Sequence, residues 1–431
     1  MNFFSGLLTT LFERTSELLP GQFSSGNDLH ALSKELLSTK GEVSGVATAE
    51  RILNIYRQCN DTEKYAFFTF LIEEMDFDIA AVRESLDAYA AHQQAADYSA
   101  FMRRAEPVRR QFFRRLNEAP GATHELVAMR RDLLALMKMH PELAVIDIDL
   151  KALFISWFNR GFLVLRPINW KSPAHILEKI IAYEAVHEIS SWDDLRRRLA
   201  PADRRCFAFF HPAMPEEPLI FVEVALTNLL PRSIEKILAD DRDIITEDDM
   251  DYAVFYSISN CQQGLAGISF GNSLIKTVVG ELNQDLPQLK HFITLSPLPG
   301  FSKWLAGQQI KASDGTTRDA VSYLEDNSTE GLALAAYYLT KARREGGQPY
   351  DPVSRFHLGN GASVYDIHDA ADLSRRGQQQ SFGLMVNYLY EKDKLVNNHE
   401  RFVHNGEITA RGRINDLAKK VADRLVADHD G

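Results

Sequence analysis

Three stretches of the 431-residue chain combine residue types and spacings that could do chemistry. The first, Gly267-Ile268-Ser269-Phe270-Gly271, fits G-x-S-x-G, the pattern of a serine nucleophile on a sharp strand-to-helix turn. Such an elbow needs the strand to run almost directly into the serine, whereas residues 260–268 separate Ser269 from the strand-like run ending near Ser259. Read more widely, Ala266, Gly267, Ile268, Ser269, Phe270, Gly271 and Asn272 form a glycine-bearing loop. It opens a helix whose apolar positions are Leu274, Ile275, Val278, Val279 and Leu282. A loop of this kind presents unpaired N–H groups and the positive end of a helix dipole, which suits a phosphate or pyrophosphate. Glycine lets that anion reach the backbone.

The second stretch is Ser296, at the end of His291-Phe292-Ile293-Thr294-Leu295 and before Pro297-Leu298-Pro299-Gly300. A serine at a strand end held by a proline-rich turn can project its hydroxyl into a cleft, although a turn-initiating serine has the same surroundings. The third is His357 in Arg355-Phe356-His357-Leu358-Gly359-Asn360-Gly361. An imidazole at an element end can exchange a proton near neutrality, and it can equally be a satisfied structural histidine. His211, in Phe210-His211-Pro212-Ala213, reads better as part of the turn into the strand Leu219–Leu226. The pyrophosphate-loop pattern of N-acetyltransferases, [R/Q]-x-x-G-x-[G/A], fits Ala266–Gly271 only at its last position.

Two kinds of texture must position these groups. Up to about residue 150 the period is helical: Ile79, Val82, Leu86 and Tyr89 make one stripe, and Leu126, Met129, Leu133 and Leu136 another. Pro120-Gly121 precedes the second stripe, Thr123 is its expected N-cap, and Pro141 follows it. From about residue 155 short β-type runs alternate with single helices. Strands are expected at 162–165, 207–210, 219–226, 252–258, 291–295 and 383–390, and helices at 173–187 and 272–282. The reading is therefore an all-α bundle at 1–155 and an α/β domain at 156–431.

Composition narrows the function. Lys+Arg 48 against Asp+Glu 59 gives a net charge of −11, which argues against a nucleic-acid partner. Arg103, Arg104, Arg109, Arg110, Arg114 and Arg115 form one basic cluster, read as a solvated or inter-subunit helix face. Cys59, Cys206 and Cys261 are scattered outside any metal-ligand spacing, so no metal and no disulfide framework is expected. The opening residues 1–19 lack a basic n-region and read as an amphipathic helix. No run is long enough to cross a bilayer, so a cytoplasmic protein without a membrane partner is expected.

Four segments taken together, 211–227, 255–276, 295–305 and 355–368, resemble the malonyl-CoA decarboxylase family in order and spacing over roughly residues 150–390. The resemblance implies a helical domain serving in homo-oligomerisation, as dimer or tetramer, and a second domain of N-acetyltransferase (GNAT)-like fold that binds the thioester. It implies catalytic roles for Ser296 and His357 and a malonyl-CoA-binding loop at Ala266–Asn272. Ala266 and Ser269 depart from the Gln and Glu that animal members tend to have there. The implied reaction converts malonyl-CoA to acetyl-CoA and CO2, with a protonated His357 donating to the enolate and Ser296 positioning the malonyl group. The thioester serves as its own electron sink, so no cofactor is expected. A CoA-dependent N-acetyltransferase, a non-catalytic acyl-CoA sensor, and a serine hydrolase or thioesterase using Ser269 are the rival readings.

Overall fold

The computed structural model describes residues 29–38, 41–268, 274–312 and 314–427; the amphipathic helix expected at 1–19 lies outside them. The chain divides into two compact units. One runs to Asn159 and takes in Gln262–Ile268; the other comprises Arg160–Cys261 and everything from Ser269 onward.

The first unit is helical: α1 Leu29–Ser38, α2 Glu42–Gln58, α3 Asp61–Glu73, α4 Ile79–His92, α5 Ala95–Arg104, α6 Val108–Leu116, α7 Ala122–Leu136 and α8 Ala144–Trp157. Phe67, Phe68, Phe112, Phe113, Leu126, Met129, Leu133 and Phe154 are buried in it. The side chain of Asn60 and that of Glu63 satisfy each other's backbone N–H at the start of α3, a capping box. At α7 the expected cap is corrected. Gly121, with φ +73°, holds the N-cap position, and Thr123 sits inside the helix with its hydroxyl 2.8 Å from Asn117 Oδ1. The Leu126 stripe is buried as expected, but the Ile79 stripe is not. Ile79 is 67% and Leu86 45% exposed, and Tyr98 and Met102 on α5 are about half exposed. Of the basic cluster only Arg109 is buried, reaching Asp149 at 2.7 Å and Asp76 at 3.0 Å; Arg103, Arg104 and Arg114 are exposed, and Arg114 pairs with Glu106.

The second unit is built on strands β1 Val164–Ile168, β2 Arg204–His211, β3 Met214–Thr227, β4 Tyr252–Asn260, β5 His291–Thr294, β6 Ser296–Pro297, β7 Gln308–Lys311, β8 Thr317–Asp319, β9 Ser363–His368, β10 Met385–Leu389 and β11 Leu425–Ala427. The larger sheet has the order β1-β2-β3-β4-β5-β10-β6, with β9 also on β10; the smaller is β11-β7-β8. Neighbours run antiparallel except β4 and β5, where the chain leaves β4, passes through the helix Leu274–Asp285 and returns in parallel. This mixed sheet with its flanking helices is the α/β architecture expected for the second half. Ile176, Leu177 and Ile180 of the helix Ala174–Tyr183 pack on Ala208, Phe210 and Phe221, with Cys206 and Cys261 as buried packing thiols in the same cluster. A second cluster joins Ile234 and Ile237 to Val254, Ile293 and Leu295.

Sequence periodicity misses β9. Its run Ser363-Val364-Tyr365-Asp366-Ile367-His368 buries Asp366 and His368, so hydrophobicity does not alternate along it. The strands β7, β8 and β11 escape for another reason: three or four residues are too few to carry a period.

Candidate active site

Ser296 and His357, 61 residues apart, meet in the second unit with Oγ and Nε2 3.2 Å apart, both buried. The local sequence explains how each is placed. β5 ends at Thr294 because Leu295 turns its N–H to Phe255 O, and β6 resumes pairing with Val386 of β10 at Ser296. Thr294 and Ser296 lie two residues apart, so alternation aims both hydroxyls the same way. The Ser296 hydroxyl donates to Thr294 Oγ1 at 2.9 Å, and Tyr388 N–H donates to that same oxygen at 3.0 Å.

His357 lies in the last turn of the helix Pro352–Gly359. Asp351 caps that helix through Ser354 N–H at 2.7 Å, with Pro352 at the first position, where its missing N–H costs nothing. Tyr338 donates its hydroxyl to the other Asp351 oxygen at 3.1 Å, and the Ser354 and Tyr388 hydroxyls are 2.6 Å apart. The helix is stopped by Asn360 and then Gly361, with φ +86°. A Cβ there would come within 2.1 Å of Leu395 O, so only glycine fits. The ring of Tyr388 stacks on the imidazole at 4.5 Å.

The other imidazole nitrogen, Nδ1, is 2.7 Å from the hydroxyl of buried Tyr390. These distances set a direction. The Ser296 proton points at Thr294, so Ser296 Oγ accepts from His357 Nε2–H, and Nδ1 accepts from Tyr390 Oη–H. Burial holds the imidazole far below its ordinary range, at about 3, and pushes the Tyr390 phenol up. Buried among neutral hydroxyls, the imidazole is biased towards its neutral form, the opposite direction from the protonated His357 expected from the sequence.

A cavity of about 280 Å³ opens onto this pair, with Val186, Ile220, Phe255, Ile258, Val353 and Phe356 among its walls. Its polar lining is Ser296, His357, Tyr256 and Asn260, and no lysine, arginine, aspartate or glutamate among the described residues faces it. Tyr256 is the extra residue of a β-bulge. Phe255 pairs with Val224 and Ser257 with Glu223, which leaves Tyr256 without a partner in the β3 register.

The remaining expected residues are placed otherwise. Ala266, Gly267 and Ile268 belong to the helical unit, in the Gln262–Ile268 segment. Ser269, Phe270, Gly271 and Asn272 lie outside the described residues. Within the helical unit the guanidinium of Arg130, fully buried, donates to Gly264 O at 2.7 Å and Ala266 O at 3.0 Å while pairing with Asp147 at 2.7 Å. Gly264 lies so close to α7 that a Cβ would fall 1.9 Å from Val127 O. His211 ends β2, where its Nδ1 accepts from Ala213 N–H in the turn to β3, as expected.

Sequence reasoning missed Tyr390, Thr294, Tyr388 and Asp351. Strand alternation offered the signal for three of them: Tyr388 and Tyr390 are i, i+2, and Thr294 is i, i+2 with Ser296. Among the described residues no group of histidine, cysteine, aspartate and glutamate is arranged to hold a metal ion, and no helix is long and apolar enough to cross a membrane.

The family descriptions that match are the malonyl-CoA decarboxylase N-terminal domain over residues 76–158 and the malonyl-CoA decarboxylase C-terminal domain over residues 161–427. The mitochondrial malonyl-CoA decarboxylase of Anser anser anser is 35% identical over 383 residues, covering 80% of this chain and 75% of the relative. That of Mus musculus is 35% identical over 351 residues, 72% and 71% of the two chains. Among solved structures, malonyl-CoA decarboxylase from Rhodopseudomonas palustris superposes with a TM-score of 0.85 at 47% identity, over 91% of this chain and 100% of that one. The Agrobacterium vitis protein gives 0.84 at 46%, over 90% and 99%. With both domains matched and relatives of this identity along most of its length, the chain belongs to the malonyl-CoA decarboxylase family.

Proposed function

We propose that this chain decarboxylates malonyl-CoA to acetyl-CoA and CO2, with the malonyl group in the cavity between Ser296 and His357. The observation that carries the reading is the hydrogen-bonded series Tyr390, His357, Ser296, Thr294 at the wall of an uncharged cavity. A malonyl carboxylate placed there finds no cation to hold its charge, and loss of CO2 moves that charge onto the thioester as an enolate. Ser296 and the bulge at Tyr256 are at hand for the developing oxygen.

His357 Nε2 then gives its proton to the α-carbon: the new C–H bond forms as N–H breaks, and the Tyr390 hydroxyl hydrogen bond to Nδ1 supports the loss. A thioester enolate is a stronger base than the anionic pair left behind, imidazole and tyrosinate once the Tyr390 proton passes to Nδ1, so a neutral imidazole suffices as donor. Water restores the missing proton after product leaves. In this reading Ala266–Asn272 bind the CoA portion, and the helical unit mediates a homo-oligomer through the exposed apolar face of Ile79, Leu86, Tyr98 and Met102.

The test is release of CO2 from malonyl-CoA by the purified full chain with no amine acceptor present. Stoichiometric acetyl-CoA is expected, carrying one deuterium at the α-carbon when the reaction runs in D2O. Absence of CO2 release overturns the reading. Ile79→Glu together with Leu86→Glu is expected to lower the oligomeric mass seen by light scattering; an unchanged mass removes this face from the interface.

A further inference from the structure

Lys151, on α8, lies against the segment that Arg130 holds in the helical unit. Its Nζ is 3.3 Å from the position a Cβ would take on Gly267, whose φ of +72° places it in the left-handed region. The side chain is half-buried, yet no carboxylate among the described residues lies within ion-pair distance of it, and it makes no hydrogen bond with them. Asp147, one turn earlier on the same helix, is committed instead to Arg130. The backbone N–H of Gly267 likewise finds no acceptor among the described residues, although its neighbours Ala266 and Ile268 bond back to Gln263 and Leu265. An ammonium and an amide donor therefore stand side by side without an acceptor, on a segment fixed by a fully buried arginine.

We infer that Lys151 is a substrate-binding residue whose ammonium, with Gly267 N–H, takes a phosphate oxygen of the CoA portion of the substrate. The inference rests on the proposed thioester substrate and deepens it, because it names a side chain of the helical unit as a contact. Charge-assisted bonds from lysine to phosphate are among the stronger polar contacts, and glycine at 267 leaves the approach open. Lys151 acts on binding of the nucleotide end alone, so its loss shows in KM and leaves the chemical step to other groups.

The experiment compares Lys151→Ala with wild type on two substrates, malonyl-CoA and malonyl-pantetheine, the second lacking every phosphate. Hydrogen bonds to charged groups contribute enough that KM for malonyl-CoA is expected to rise about tenfold with kcat little changed. The ratio of wild-type to variant kcat/KM is expected to collapse towards one on malonyl-pantetheine. Lys151→Arg is expected to recover most of the loss. CoA binding followed by calorimetry gives the same contrast without turnover.

An unchanged KM for malonyl-CoA, or an equal loss on both substrates, overturns the inference while leaving the decarboxylase reading intact. Failure of wild type to release CO2 from either substrate overturns the decarboxylase reading instead, and CoA affinity then decides the fate of Lys151 by itself.

Discussion

The two units hold their functional segments by opposite means. In the α/β unit, Ser296 and His357 are held at close range by uncharged groups, a threonine hydroxyl, a backbone amide and two tyrosines, with the Asp351 carboxylate acting at the other end of the His357 helix. In the helical unit, the Gly264–Ala266 backbone is fixed by a buried guanidinium whose charge is met by Asp147. The contrast matches what each place has to meet. A reaction that moves charge from a carboxylate to an enolate is served by a cavity that stabilises neither end too well in advance. A segment that takes phosphates, as proposed for this one, is served by rigid donors and a nearby cation.

The comparison breaks first at His357. His357→Ala removes the proton donor, and kcat for CO2 release is expected to fall by roughly 10²–10⁴-fold while the urea midpoint moves little. A variant with near-wild-type turnover would remove His357 from the proposed chemistry. On the charged side, Arg130→Met leaves Asp147 and two buried carbonyls without their partner. A loss of roughly 3–5 kcal/mol is expected, read from urea unfolding of the full chain. A loss under about 1 kcal/mol would mean that water replaces the guanidinium with little cost.

Tyr390→Phe sharpens the contrast at lower amplitude. It removes only the hydrogen bond that holds Nδ1 as acceptor, leaving a buried nitrogen unpaired. Turnover is expected to fall roughly tenfold, and ¹⁵N spectra of His357 to show mixed tautomers. A change in stability without a change in tautomer would make Tyr390 a packing residue only.

The smallest effect is with pH. With its folded pKa near 3 and an unfolded value near 6.5, His357 binds a proton in the unfolded chain, and none in the native one, between those values. Its contribution to stability is complete above about pH 6.5 and is lost as pH falls towards 3. Across pH 6.5–8 the imidazole does not titrate, so kcat is expected to show no step assignable to it. A clear step near 6.5, absent from a His357 variant with residual activity, would return the imidazolium mechanism.

What the sequence discloses depends on the distance over which each contact forms. The Leu126 stripe and the core strands are local patterns, and they are found where periodicity places them. Ser296 and His357 stood out only through resemblance, since a serine before proline and a lone histidine each have an ordinary structural meaning. Tyr390 carried only the weak mark of alternation with Tyr388, because its value lies in a hydrogen bond to a residue 33 positions away. The Ile79 stripe is the instructive failure. Its period correctly yields a helix, but periodicity does not say whether the partner face lies in the same chain. Charge along Arg103–Arg115 marks a face that is exposed at Arg103, Arg104 and Arg114, while the buried pair of Arg109 with Asp149, 40 residues away, leaves no trace in local composition.

The segment 262–268 also imposes an order on the making of the protein. Arg130 and the carbonyl it holds are 134 residues apart, so a helical unit emerging from the ribosome carries a guanidinium met by Asp147 but not yet by the carbonyls it will hold. Until β2, β3 and β4 have been synthesised, that half of the molecule waits for the segment that completes it.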